Sequence, residues 1–114
     1  VWPGLLHGVA DFSTLAWQPF HPGVEIVELY PPTADGAHAA LLRYEPGACV
    51  PLHVHAGMEH ILVLQGSQRD EHGEYRAGTL VVNRPGTRHR VCSDAGCVVL
   101  AIWQRPVQLL PSSV

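Results

Sequence analysis

HVHAGMEHILVLQG, residues 53–66, places three histidines and a glutamate at the head of an apolar run. Side chains two positions apart on a strand share a face. His53 and His55 therefore project together, and Val54 projects away. Ala56, Gly57 and Met58 allow a tight connection, after which Glu59 opens a new strand with Ile61, Val63 and Gln65 on its side. If that side is the interior of a barrel, two imidazoles and a carboxylate converge there, and His60, of opposite parity, points out. A third imidazole comes from NRPGTRHRV (83–91), where His89 follows the Pro85-Gly86 turn. Imidazole and carboxylate together suit Zn, Fe, Mn, Ni or Cu. Taken singly, each histidine is more often an ordinary polar strand position than a ligand. Taken together, the four favour a shared metal.

Working outward, the chain reads as short strands separated by turns. VEIVELY (24–30), AALLRYE (39–45), HILVLQG (60–66), GTLVVN (78–83), HRVCS (89–93) and CVVLAIW (97–103) are each bounded by turn residues, and 11 Gly and 10 Pro are spread along the whole length. Regular short strands with such punctuation predict an all-β barrel or sandwich. RDEHGEY (69–75) reads as a polar hairpin turn with Gly73 at its tip. No window sustains a helical period. DFSTLAWQPFHPG (11–23) reads as an extended arm or edge segment covering one mouth of the barrel. The division expected is an N-terminal arm over 1–23 and a barrel over 24–114.

At 114 residues the chain holds one domain. A net charge of −3, with 15% charged residues, argues against nucleic acid as the main partner. No apolar run reaches the length of a membrane span, and the N-terminus lacks the features of a signal peptide. Three cysteines, an odd number, fit a reducing, cytoplasmic setting. Cys92 and Cys97 flank the turn SDAG and are placed to pair across a hairpin end, the less expected outcome. Cys49 reads as a small buried hydrophobe. The sequence starts at Val1 and its one methionine is Met58, so a tag or further native residues are expected to precede Val1, and whether an upstream domain does is left open.

The spacing also resembles a known family. Gly47, five residues, His53, one residue, His55, three residues, Glu59, six residues and Gly66 is similar to the first motif of the cupins, small antiparallel jelly-roll-like β-barrels. Gly78, Gly86 and His89 keep the spacing of the second motif. Arg84 stands where that motif usually has Pro, with Pro85 displaced by one, and Ser93 stands where it has Asn. GAHAALLRYEPGA, HVHAGMEHILVLQGSQRDEHGEYRAGTL and SDAGCVVLAIWQ resemble more closely the cupin domain of ChrR-type anti-sigma factors and their stand-alone relatives. The resemblance implies one divalent metal ion per chain, Zn first and Fe(II), Mn or Ni as alternatives, on His53, His55, Glu59 and His89. His60 replaces an acidic residue common there. Anti-sigma activity in that family belongs to a separate N-terminal helical domain with its own zinc site, which nothing here matches. A sigma factor is thus expected as a partner only if such a domain precedes Val1. The broader group also contains non-haem iron dioxygenases that cleave small diketones, usually with three histidines.

Two main functional readings stay open. Four ligands can close a tetrahedral zinc site, which favours a sensory or regulatory module, or leave positions open on a six-coordinate metal, which favours a dioxygenase acting on a small diketone or carboxylate. A metal-free isomerase requires an empty site and fits the intact ligand set least. Candidate pocket residues are Arg43, as a carboxylate clamp or a solvated surface residue, and Tyr44, Gln65, Arg88 and Trp103. The arm and the CVVLAIW strand are the expected surfaces of a homodimer.

Overall fold

The turn residues divide the described part of the chain into ten strands. In a computed structural model, which describes residues 2–6 and 12–111, they are β1 (Gln18–His21), β2 (Val24–Tyr30), β3 (His38–Tyr44), β4 (Ala48–Val54), β5 (Glu59–Asp70), β6 (Gly73–Arg76), β7 (Leu80–Asn83), β8 (Arg88–Ser93), β9 (Cys97–Trp103) and β10 (Gln108–Leu109). Residues 7–11, within the expected arm, and 112–114, the end of the expected barrel segment, lie outside the described residues, as does Val1. The order across the sheet is β1-β2-β3-β9-β5-β8-β4-β10, with β6 and β7 also on β5. All of these pairs are antiparallel. No helix among the described residues is long and apolar enough to cross a membrane.

β5 curls this sheet into a barrel. Its first half pairs with β9 on one side and β7 on the other; its second half pairs with β6 and meets β8 at Arg69–Cys92. The switch falls at Gly66, whose φ of 71° lies in the left-handed region. A Cβ there would stand 2.0 Å from the Gly96 carbonyl oxygen. Beside it the β5–β9 register slips between Val63 and Gln65. That bulge changes the strand's parity: Glu59, Ile61 and Val63 face inward before it, and Gln68 is the buried residue after it.

Two apolar clusters hold the fold. The inner one joins residues such as Val24, Leu42, Val50, Ile61, Val91, Val99 and Trp103 from both walls. The outer one is Phe12, Leu41 and Val98, with Leu15, Trp17 and Leu100 packed against them. Burial on both faces explains why β3 is nearly continuously apolar instead of alternating. Within the expected arm, Phe12, Leu15 and Trp17 cover the outer face of β3 and β9, while β1 is an edge strand on β2 whose Phe20 and His21 line the inner cavity. On CVVLAIW, the strand expected to offer a dimer surface, β9 lies mid-sheet, Val98 and Leu100 are packed in the outer cluster, and Ile102 is the exposed large apolar residue.

Two further expectations change. The hairpin tip is Glu71-His72, with Asp70 paired to Gly73; the Asp70 carboxylate accepts the His72 N–H at 2.8 Å and shapes the turn without a left-handed residue. The cysteine pair is Cys49–Cys92, cross-strand partners of β4 and β8, and Cys97 is free and buried in the inner core. Register, not nearness in sequence, brings those sulfurs together. Cys49 is thus no simple buried hydrophobe, and the odd cysteine count no longer argues for a reducing compartment.

Gly66→Ala is expected to cost about 3 kcal/mol or more, from backbone strain plus the clash with Gly96; an unchanged urea midpoint would show that the strand switch does not need glycine. Reduction of Cys49–Cys92, which closes a loop of sequence separation 43, is expected to lower stability by up to about 4 kcal/mol on the loop-entropy account. Thiol titration of denatured, unreduced protein checks the pairing: one reactive thiol supports it and three exclude it.

Candidate metal centre

Two strand ends and one turn bring the ligands together. His53 on β4 and His89 on β8 are register partners, so they share the inner face. His55 lies one residue past β4 and stays anchored to the 84–87 turn: its N–H donates to the Thr87 carbonyl and its carbonyl accepts from Gly86 N–H, both at 2.8 Å. Glu59 opens β5 between its register partners Asn83 and Trp103. All four side chains are buried, and one donor atom from each lies within 4.8 Å of the others. The three imidazole centroids are 4.7–5.1 Å apart and their planes cross at 72–89°. Rings so arranged do not stack; each presents an edge to a common point.

Each ring is oriented from behind. His53 Nδ1 lies 2.8 Å from the Pro51 carbonyl oxygen. His55 Nδ1 lies 3.0 Å from the Thr87 carbonyl and 2.9 Å from its Oγ1, which itself donates to the Arg84 carbonyl at 2.6 Å. His89 Nδ1 lies 3.0 Å from Asp70 Oδ2. These partners are acceptors, so each Nδ1 carries the proton and donates. That leaves the Nε2 lone pairs for the centre of the cluster. Nε2 of His55 and of His89 is buried with no hydrogen-bond partner. His55 Nε2 is only 3.1 Å from Glu59 Oε1, yet the pair is not aligned for a hydrogen bond; both atoms point at shared space. Buried polar atoms left bare are rare, and a donor set of three imidazoles and a carboxylate, each oriented by a second partner, fits a divalent ion.

The electrostatics agree. Burial pushes the Glu59 carboxyl up, but positive charge at His55, whose Nε2 is 3.1 Å away, and hydrogen bonds from Trp103 and Asn83 outweigh this and hold it below the usual carboxylate range. Burial lowers His53, which favours the neutral, ligating form. Burial first, and then nearby Cys97 and Glu59, push the Tyr44 phenol far up, so it stays protonated.

Comparison with known proteins places this geometry. Residues 7–107 match the model of the ChrR cupin-like domain. The chain belongs to that family. It is 35% identical over 94 residues to the anti-sigma-E factor ChrR of Cereibacter sphaeroides, covering 81% of this chain and 43% of that protein. In the crystal structure of Rhodobacter sphaeroides SigE in complex with the anti-sigma ChrR, the match has 33% identity and a TM-score of 0.73 over 82% of this chain and 51% of the other. The chain thus spans about half the length of these relatives. An acetylacetone dioxygenase from Acinetobacter johnsonii shares the fold at 15% identity, with a TM-score of 0.80 over 90% of this chain and 77% of the other.

Within this ChrR-type cupin the expected pocket residues divide. Tyr44 and Trp103 line a cavity of about 40 Å³ that reaches His53, Glu59 and His89. Trp103 also donates to Glu59, so it positions a ligand. Arg43 lies on the outer face, paired with Glu25 at 2.7 Å and stacked over Trp17. Gln65 is turned away by the β5 bulge and lines a different, outer cleft with Arg43; Gln68 takes the inward place. Arg88 is exposed and borders a third cleft. Four residues at or behind the site were not singled out: Asp70, Thr87, Asn83 and His21, the last lining the inner cavity. Asp70 and Asn83 were findable as polar residues at strand ends flanking the motif; His21 was not, since nothing local aims it at the cavity.

The Nδ1–H tautomer is expected for His53, His55 and His89. Long-range ¹H–¹⁵N correlation spectra check it, and an Nε2–H tautomer at any of the three would contradict the anchoring described here.

Proposed function

We propose that this ChrR-type cupin binds one divalent metal ion, Zn(II) as first choice, through Nε2 of His53, His55 and His89 and the Glu59 carboxylate, and serves as a sensory or regulatory module. The observation that carries this reading is the pair of buried Nε2 atoms on His55 and His89 that make no hydrogen bond, each on a ring whose Nδ1 is already held. When bound, the ion supplies a fixed positive charge and Lewis acidity beside the inner cavity. The protein's own part is to hold the rings, keep Glu59 ionised and exclude bulk water with the apolar wall around Ile61 and Val91.

Cavity size weighs against turnover. About 40 Å³ accommodates a few waters, each needing roughly 10–15 Å³, and is far below the roughly 300–1,000 Å³ of ordinary small-molecule sites. A dioxygenase acting on a diketone or carboxylate, with Fe(II), Mn or Ni, would have to open this wall. A metal-free isomerase would leave the two Nε2 atoms bare. A sigma factor enters only as the partner of an anti-sigma segment outside this chain. Self-association is part of the reading: exposed Val82 and Ile102 flank His60 across the β7-β5-β9 register, a stripe suited to a homodimer, and sedimentation of a Val82→Glu, Ile102→Glu variant as the same species as wild type would remove it.

Elemental analysis of untagged protein is expected to give about one ion per chain that survives dialysis. His53→Ala with His55→Ala should abolish it, and His60→Ala should leave it intact; metal retained by the double variant would sink the proposal. Labile iron with O2 uptake would favour the dioxygenase. Asp70→Asn keeps an acceptor for His89 but removes its charge, and is expected to weaken the metal about 10- to 100-fold, read by chelator competition.

A further inference from the structure

Behind the ligands, on the Nδ1 side of the His55 and His89 rings, lies a second cleft of about 280 Å³ between β7 and β8. Its wall includes Asp70, His72, Tyr75 and Thr87, and its lip carries Arg84 and Arg88. Asp70 is already committed: it accepts from His89 Nδ1, from the Tyr75 hydroxyl at 2.9 Å and from the His72 N–H. The arginines are different. Both are exposed, and among the described residues no salt bridge engages either guanidinium. They flank one turn, closed by Thr87 N–H to the Arg84 carbonyl at 3.2 Å. Arg84 is also the residue standing where the cupin motif has Pro, so this cation departs from the motif.

We propose that this cleft binds a small oxyanion, a carboxylate or phosphate group, through Arg84 and Arg88, and that occupancy alters the metal's affinity. Guanidinium forks match such groups in two-point contacts, and the volume approaches that of ordinary small-molecule sites. The coupling is mechanical. The 84–87 turn, which begins at Arg84 and leads into Arg88 of β8, also holds His55 at three points: Thr87 takes its N–H and its Nδ1–H, and Gly86 N–H donates to its carbonyl. A ligand that draws the two arginines together shifts the anchor of one metal ligand, and linkage makes the effect reciprocal. The coupling clause rests on the metal reading above; the anion site does not.

The test is a ¹⁵N-shift titration of the protein as purified with inorganic phosphate, succinate and, at matched ionic strength, chloride. Saturable shifts at residues 84–88 are expected with phosphate or succinate, and the tighter of the two names the group. Arg84→Gln with Arg88→Gln, both at exposed positions, should weaken binding about tenfold or more, as expected for losing charged hydrogen bonds, with the thermal midpoint unchanged. Shifts that rise linearly and equally with chloride, or binding intact in the double variant, overturn the site. Chelator competition for zinc with and without succinate then reads the coupling: a several-fold change supports it, and equal zinc affinity overturns it. Anion binding in a protein that takes up no zinc leaves the cleft in place and removes the metal reading instead.

Discussion

Three buried imidazoles can share one point only if something prevents them from turning toward other partners. Here the restraint is the set of acceptors behind each Nδ1: a carbonyl within β4, a carbonyl and hydroxyl on the 84–87 turn, and the Asp70 carboxylate. Much of the architecture exists to deliver those acceptors. β4 must pair with β8 so that His53 and His89 meet. The turn after β7 must close on His55. β5 must run long enough to supply Glu59 at one end and Asp70 at the other, eleven positions on in the same strand.

That last demand explains the bulge. In an unbroken strand, residues an odd number apart face opposite sides, so Glu59 and Asp70 would do so. The slip between Val63 and Gln65 adds the residue that brings Gln68 to the inner side and Asp70, of the same parity, within reach of His89 Nδ1. Gly66 permits the accompanying change of sheet because its neighbour across the ladder, the Gly96 carbonyl, leaves no room for a side chain. β4 carries a matching irregularity: its register with β8 shifts between Val50 and His53, so the stretch holding Cys49 and the stretch holding the ligands are set independently against the same partner.

These irregularities also separate what was legible in the sequence from what was not. The strands ended by Pro and Gly were readable, as was the shared face of His53 and His55, because period-two alternation holds within a few residues. Gln65 was misplaced because parity carried across a bulge inverts, and a bulge leaves no reliable mark in one sequence. The Cys49–Cys92 pair was missed because strand order, not chain proximity, made them neighbours. Arg43 went to Glu25 and Trp17 because its face is the one the N-terminal segment covers, and that packing depends on aromatics that show no period of their own.

On the proposed reading of the chain as a sensory module, a small inner cavity beside the ligands and a larger outer cleft behind them divide that work in a physically sensible way. A metal whose coordination sphere opens freely to solvent responds to any small ligand and discriminates poorly. A metal held behind an apolar wall is insulated, and its affinity is then set by the outer partners of its ligands. Two of those partners, Asp70 and Thr87, form part of the wall of the outer cleft, and Thr87 sits on a turn flanked by Arg84 and Arg88, which no salt bridge among the described residues engages. On that reading a signal enters from the side of the shell where the protein is exposed and polar, while the donor atoms stay buried.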